Sequence, residues 1–224
     1  MITEPDSRAA TNALLNELRQ GRWRPPAWTR FLVQATRRSV HQARLRPRAL
    51  GEITALHLGL AALGHRKRLL WTVTSWALAA THLGLLEQRR SLSLADVVTL
   101  TRANVPALTT GWAAPVVVLA GDVADGRLAR GLGTASPFGA AADSLADAAF
   151  WTWFALYHEP SRRVRAAALL AWVVPVVAVT TAGFGRGRMV DAPRPVLLRP
   201  AAAMQAVLAL RAVRRRMRHH PTGR

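Results

Sequence analysis

Residues 122–147 decide how this chain folds, and they read DVADGRLAR at 122–130, GLGTASPF at 131–138 and GAAADSLAD at 139–147. The stretch holds four of the chain's twelve acidic residues amid alanine, leucine and valine. These four are Asp122, Asp125, Asp143 and Asp147. A carboxylate is costly in apolar surroundings unless it is paired or binds a cation. The four aspartates are therefore the first candidates for a functional site.

The spacing of the aspartates places them in two pairs. Asp122 and Asp125 are three residues apart, so on a helix they share one face. Asp143 and Asp147 are four residues apart and also share a face. Two glycines and a proline in 131–138 indicate a turn between two helices. The simplest structure is a helical hairpin that aims both pairs at one point.

Four converging carboxylates need compensating positive charge. Hard divalent cations with oxygen ligands supply it, and two such ions about 3.5–4 Å apart are usual for phosphoryl chemistry. Gly126 would let a ligand approach the backbone closely. Arg130, one turn later, carries five hydrogen-bond donors that suit a phosphate. The alternative is a pair of alanine-rich helices with solvated acidic faces, which explains any single aspartate better than it explains all four.

The pattern D-x2-D-G-x2-A-R-x8-G-x3-D-x3-D is present here without a gap or a substitution. It resembles the signature of the CDP-alcohol phosphotransferase (CDP-alcohol phosphatidyltransferase) family, whose members are integral-membrane enzymes that make phospholipids. Ala129 and Gly139 are the structural positions of that signature. Upstream, residues 98–102 look like the start of the family's first helix, which often reads T-x2-R. The resemblance is sharp over 99–150 and weak elsewhere.

The resemblance implies a role for each motif residue. The four aspartates would hold two divalent cations, Mg2+ or Mn2+, and Asp147 would also be the general base. Gly126, Arg130 and the hydroxyl of Ser136 would contact the diphosphate of a CDP-alcohol. The implied reaction is metal-dependent transfer of a substituted phosphate group to an acceptor hydroxyl, with release of CMP.

Two substrate arrangements fit this reaction. The favoured one pairs CDP-diacylglycerol, a lipid donor, with a small hydroxylated acceptor. The alternative pairs a soluble CDP-alcohol donor with diacylglycerol as the acceptor. The family resemblance also implies a possible homodimer and contact with membrane lipids.

Composition narrows the class of protein. The chain has 224 residues, a formal net charge of +19 and no cysteine, so a disulfide framework and a thiolate metal site are excluded. Such a charge suggests an anionic partner, either nucleic acid or an anionic membrane surface. A catalytically inactive, basic helical protein that binds a membrane surface or nucleic acid is therefore a second class. Nucleic acid is the less favoured partner because apolar segments follow the basic N-terminus.

The chain divides into three parts by composition. Residues 1–48 hold ten arginines against three acids, and Trp28, Phe31, Leu32 and Ala35 follow i, i+3, i+4, i+7 spacing. This spacing predicts a basic amphipathic helix that lies on the bilayer surface. Residues 49–213 are predicted to form the membrane-embedded catalytic domain, and residues 214–224 form a basic tail.

Seven apolar segments follow the N-terminal part: 49–64, 69–86, 91–110, 113–120, 148–157, 164–181 and 196–213. A full crossing of the bilayer needs about 20 residues, and several of these segments are shorter. The family usually has six spans, so the segment at 196–213, broken by Arg199-Pro200, is the candidate for an interfacial position. The predicted fold is an all-α integral membrane bundle of about six transmembrane helices. We expect it to lie in the plasma membrane as a multi-pass protein whose active site faces the cytoplasm.

One departure from the family's pattern predicts a local change of shape. Only 20 residues separate Arg102 from Asp122, so the first two helices of the family domain must be abbreviated or tilted. An additional hairpin at 49–86 precedes them.

Overall fold

The computed structural model describes residues 6–109, 111–189 and 195–219, with the side chains of 195–199 and 219 left aside. In this part of the chain there are ten α-helices and no strand, which confirms the all-α prediction. The helices are α1 (Ser7–Gln20), α2 (Pro25–Leu45), α3 (Pro47–Leu63), α4 (Leu69–Thr81), α5 (Leu94–Ala103), α6 (Val105–Leu108), α7 (Ala114–Gly131), α8 (Pro137–His158), α9 (Arg162–Arg186) and α10 (Pro195–His219). Residues 1–5 of the predicted N-terminal part and 220–224 of the predicted tail lie outside the described residues.

Short-range sequence signals explain where several helices begin. The side chains of Asp6, Ser136 and Ser161 accept hydrogen bonds from the first turns of α1, α8 and α9. Ser93 and Asp96 form a reciprocal capping box at the start of α5. Each bond satisfies a backbone N–H that has no partner within its own helix. The helix that carries Asp143 and Asp147 is therefore positioned at its N-terminus by Ser136.

The helices that carry the motif and the T-x2-R sequence are α5, α7 and α8. Helix α5 packs against both α7 and α8. The two helices follow each other across the predicted turn, but each packs mainly against α5 and only slightly against the other. The main hydrophobic core lies along α8, where Phe150, Trp151 and Phe154 are buried against Val118 of α7 and Leu208 of α10. This packing holds α7 and α8 in place next to the part of each helix that carries the aspartates.

The predicted abbreviation of the helices before the motif is present. Helix α5 has ten residues and ends at Asn104, and the four-residue helix α6, with Pro106 in its first turn, follows it. Proline removes a backbone donor and restricts the residue before it, so one continuous helix does not form here. The additional hairpin is formed by α3 and α4, which pack against each other.

The basic N-terminal part forms a helical hairpin, α1 and α2, that contacts α9. Trp28 of α2 packs edge-on against Phe184 at a centroid distance of 5.7 Å. A Cβ at position 187 would lie 2.8 Å from Arg19 Cδ, so Gly187 permits the close approach of α1. On its outward side α2 exposes Leu32 and Val33. Apolar and basic side chains thus share the surface of α2.

One helix of the described residues, α9, is long and apolar enough to cross a membrane. The predicted bundle of about six spans is therefore not confirmed. Helices α4 and α5 have 13 and 10 residues, which is below the length for a full crossing, and α3, with 17, is at its lower limit. Helix α7 has 18 residues but carries the charged motif over its second half.

A buried carboxylate attaches α10 to the end of α8. Glu159 is 1% exposed and accepts hydrogen bonds from Arg211 Nε at 3.0 Å, Arg211 Nη2 at 2.9 Å and Arg215 Nη1 at 3.3 Å. The backbone N–H of Ser161 donates to the same carboxylate at 2.9 Å. We call Glu159, Arg211 and Arg215 the Glu159 clamp. Arg215 belongs to the predicted basic tail, so part of that tail is packed against the domain.

Candidate active site

The hairpin of α7 and α8 brings the four motif aspartates together around one arginine of α5. Arg102 Nη1 lies 2.8 Å from Asp122 Oδ1 and 3.3 Å from Asp125 Oδ2, so it contacts the pair on α7. Arg102 Nη2 contacts Asp143 Oδ1 and lies 3.4 Å from Asp147 Oδ1, so it contacts the pair on α8. The predicted convergence of both pairs is present. We call the four carboxylates the aspartate cluster.

Arg102 and Thr99 are site residues to which the sequence analysis assigned no role. Arg102 is 3% exposed, and the Thr99 hydroxyl donates to Asp125 Oδ2 at 2.7 Å. The two residues are three apart on α5, so both face the cluster. They are the T and the R of the T-x2-R sequence. The sequence did contain a signal for Arg102. A lone arginine within an apolar segment needs an anionic partner when it is buried.

The four aspartates differ in their access to solvent. The side chains of Asp122 and Asp143 are each 42% exposed, whereas that of Asp125 is 5% exposed. Asp147 is intermediate at 16%, and its Oδ2 accepts a hydrogen bond from Gln205 Nε2 of α10 at 3.2 Å. Asp125 is thus the most enclosed of the four and is held by Thr99 and Arg102. Asp122, Asp125 and Asp143 line a cavity.

Three of the aspartates meet the requirements of a cation site. Oxygens of Asp122, Asp143 and Asp147 all lie within 4.8 Å of one another. Carboxylate oxygens are the ligands that hard divalent cations such as Mg2+ and Mn2+ take. The donor set therefore fits a divalent metal.

A polar cavity of about 620 Å³ opens beside the aspartate cluster. Its walls include all the residues predicted to contact the donor or to shape the motif, namely Gly126, Ala129, Arg130, Ser136 and Gly139. A Cβ at position 126 would lie 3.3 Å from Arg130 Nη1, so glycine leaves room for the guanidinium beside the helix backbone. The cavity thus combines carboxylates on one wall with arginine on another.

A model of the CDP-alcohol phosphatidyltransferase family matches residues 89–213, more than half of the chain. The chain belongs to this family. No curated protein and no solved structure matches it. Membership of the family supports a transferase of phospholipid biosynthesis that takes a phosphatidyl group from a CDP-alcohol. The family is generally membrane-embedded and typically uses divalent metals.

Ser136 has a structural role in this phosphatidyltransferase domain. Its hydroxyl oxygen accepts hydrogen bonds from the Gly139 N–H at 3.1 Å and from Arg89 Nη2 at 2.6 Å. Arg89 also lies 2.9 Å from Asp96 Oδ2. Sequence reasoning missed Arg89 and Asp96, because Arg89 connects Asp96 of α5 to Ser136, which lies 47 residues away from Arg89 in the sequence. Two donors thus hold the Ser136 oxygen, and Ser136 lines the cavity.

The glycine and alanine of the phosphatidyltransferase motif have packing roles. A Cβ at position 139 would lie 3.1 Å from Asp96 Oδ1, so Gly139 lets α5 approach the start of α8. The Ala129 carbonyl accepts a hydrogen bond from the Thr134 N–H at 2.9 Å, which closes the turn after α7. Gly133 adopts a left-handed conformation in that turn, with φ of 61°, which glycine tolerates best.

An apolar groove of about 690 Å³ runs along the side of α8 that faces α4. Its floor consists largely of small residues of α8, including Ala142, Ala146 and Ala149. The facing wall on α4 includes Leu70, Trp71 and Leu78 and lies outside the residues that the family model matches. Helix α8 therefore separates a polar cavity from an apolar groove.

Proposed function

We propose that this transferase moves the phosphatidyl group of CDP-diacylglycerol to the hydroxyl of a small acceptor and releases CMP. The observation that carries the proposal is the convergence of four aspartates, from two helices, beside a cavity that contains Gly126, Arg130 and Ser136. Two divalent cations, Mg2+ or Mn2+, bound among the aspartates would neutralise charge on the diphosphate and on the departing CMP.

Asp147 is proposed as the general base. Its two oxygens are held from opposite partners, Arg102 on α5 and Gln205 on α10. The carboxylate takes the proton of the acceptor hydroxyl as that oxygen attacks the phosphorus that bears the diacylglycerol. A phosphodiester bond forms, the bond to the CMP oxygen breaks, and CMP leaves with the electron pair.

The donor's diphosphate is proposed to lie against Gly126, Arg130 and Ser136. Arg130 is exposed to the cavity and presents a planar set of donors to phosphate oxygens. The Ser136 oxygen accepts bonds from Arg89 and Gly139, so its own proton remains for donation to the ligand. These contacts orient the donor beside the aspartates.

A lipid substrate is supported by the surroundings of the site. The groove beside α8 is lined mainly by apolar side chains. Helix α9 exposes Val173, Val174 and Val177, as a lipid-facing helix does. We propose a multi-pass protein of the plasma membrane whose active site faces the cytoplasm, with α2 lying on the membrane surface.

The test is CMP release by the full-length protein in detergent, supplied with CDP-diacylglycerol, Mg2+ or Mn2+, and a panel of small hydroxylated acceptors. The expected result is metal-dependent CMP release with one acceptor, and its loss in Asp143→Asn. Asp6→Asn is the matched control, because Asp6 caps α1 far along the chain and asparagine caps equally well.

Two results would overturn the proposed reaction. CMP release from CDP-ethanolamine with diacylglycerol, and none from CDP-diacylglycerol, would favour the alternative arrangement with a soluble donor. No release from either donor, together with nucleic-acid binding that weakens steeply with salt, would favour the inactive basic protein.

A further inference from the structure

Arg102 occupies the space between the two aspartate pairs. One terminal nitrogen contacts the pair on α7, and the other contacts the pair on α8. Arg102 Nε has no hydrogen-bond partner among the described residues. The carboxylates alone therefore hold the guanidinium in place. A cation that bridged the two helices would compete with this guanidinium for the same oxygens.

Arg102 leaves few carboxylate oxygens free for a cation. Arg102 uses Oδ1 of Asp122 and Oδ1 of Asp143. The second oxygens of these two side chains accept no hydrogen bond within the described part of the chain, and both side chains are 42% exposed. Asp125 does not belong to the three-carboxylate set, because it is directed to Thr99 and Arg102.

The charge balance also favours one cation. Four carboxylates and one guanidinium leave three net negative charges, and one divalent cation reduces this to one. A second divalent cation would reverse the sign of the cluster beside Arg127 and Arg130, which also line the cavity. The diphosphate of the donor brings negative charge and removes this obstacle.

We propose that Arg102 serves as the second positive centre of the aspartate cluster, so that the free chain holds a single divalent cation and a second one enters only with the donor's diphosphate. This proposal rests on the proposed function, because it assumes that the cluster binds metal. It assigns to Arg102 a positioning role: it holds the four carboxylates together and sets the number of metal ions.

The test is the Mn2+ stoichiometry of the full-length protein in detergent, measured by calorimetry and by electron paramagnetic resonance, with and without saturating CDP. We expect one Mn2+ per chain without CDP and two with it, and a spin-coupled Mn2+ pair only with CDP. Arg102→Met is expected to bind two ions without CDP, the first at least about tenfold more tightly, because an adjacent positive charge is removed. Arg102→Lys, which keeps the charge, is expected to bind one.

Several outcomes overturn the proposal. Two Mn2+ ions on the unaltered chain without CDP would overturn it and leave the proposed function intact. No Mn2+ under either condition would overturn both. Unchanged stoichiometry and affinity in a folded Arg102→Met would remove the role of the arginine. If Arg102→Met does not fold, the number of Mn2+ ions bound by the unaltered chain, with and without CDP, tests the proposal by itself.

Discussion

Two clusters of arginine and carboxylate lie along α8, and they differ in which charge is in excess. In the aspartate cluster, four carboxylates share the guanidinium of Arg102. In the Glu159 clamp, one carboxylate receives hydrogen bonds from Arg211 and Arg215. The first cluster keeps exposed, unbonded oxygens beside a cavity. In the second, the carboxylate is buried and hydrogen-bonded, while Arg211 and Arg215 are 40% and 30% exposed. Unsatisfied charge that faces a cavity indicates a binding site, and satisfied buried charge indicates a structural contact.

Helix α10 connects the two clusters. Gln205 contacts Asp147 of the aspartate cluster, and Arg211 and Arg215 of the same helix contact Glu159. The Glu159 clamp thus positions the helix that orients the proposed base. Four predictions test whether one cluster is functional and the other structural.

The largest difference is expected in turnover. Asp147→Asn should lower the rate of CMP release by about 10²-fold or more, because general-base catalysis typically contributes that much. Glu159→Gln, the matched loss of one carboxylate charge, should leave turnover within about threefold, since the hydrogen-bond partners of the Glu159 carboxylate are Arg211, Arg215 and Ser161, outside the aspartate cluster. Near-normal turnover in Asp147→Asn would remove the proposed base. A loss of the same size in both variants would contradict the distinction between the clusters.

The order of effects should reverse for stability. Glu159→Gln should lower the free energy of unfolding by about 2 kcal/mol, because it weakens charge-assisted hydrogen bonds to a buried group. Asp122→Asn should lower the free energy of unfolding by less than this, or should raise it, because it removes one of four mutually repelling carboxylates. The measurement is thermal unfolding in detergent with a metal chelator. Equal destabilisation by the two variants would show that both clusters serve mainly to hold the fold.

Low pH should weaken the Glu159 clamp and lower the stability of the fold. Burial opposes ionisation of Glu159, but hydrogen bonds from Arg211 and Ser161 and the charge of Arg215 outweigh it, so its pKa lies below the usual glutamate value. The clamp's contribution is therefore complete above the unfolded-state pKa and is lost as the pH falls through the lowered folded-state pKa. The melting temperature should decline over this acidic range, and the decline should be shallower in Glu159→Gln. Parallel curves would contradict this assignment.

The smallest effect is expected at the contact between α10 and the proposed base. Gln205→Ala should reduce turnover by about three- to tenfold, because Asp147 loses one neutral hydrogen bond and retains its contact with Arg102. Gln34→Ala is the matched control, because Gln34 donates to Glu17 within the N-terminal hairpin. Equal rates in the two variants would show that α10 does not orient the base.

Local signals made the centre of the fold predictable. The spacing of the aspartates, the glycines and proline at 131–138, and the short distance from Arg102 to Asp122 predicted the hairpin and its abbreviated neighbour. These features depend on helical periodicity and on turn chemistry, which act over a few residues. The number of membrane spans was less predictable, because apolar composition alone does not say where a helix will end. Helices α4 and α5 are shorter than the apolar segments that contain them.

The sequence by itself determined the helical class, the membership of the family and the residues that converge on the candidate site. Only the tertiary structure decided what compensates their charge: Arg102 pairs with aspartates 20 and 41 residues away. The same holds for Glu159, whose arginine partners lie 52 and 56 residues away. The physical reason is that a buried charge pairs with whichever opposite charge the packing of helices brings within hydrogen-bond distance. Helical periodicity identifies which residues of a helix share a face. The partner of a buried charged residue depends on which other helix packs against that face.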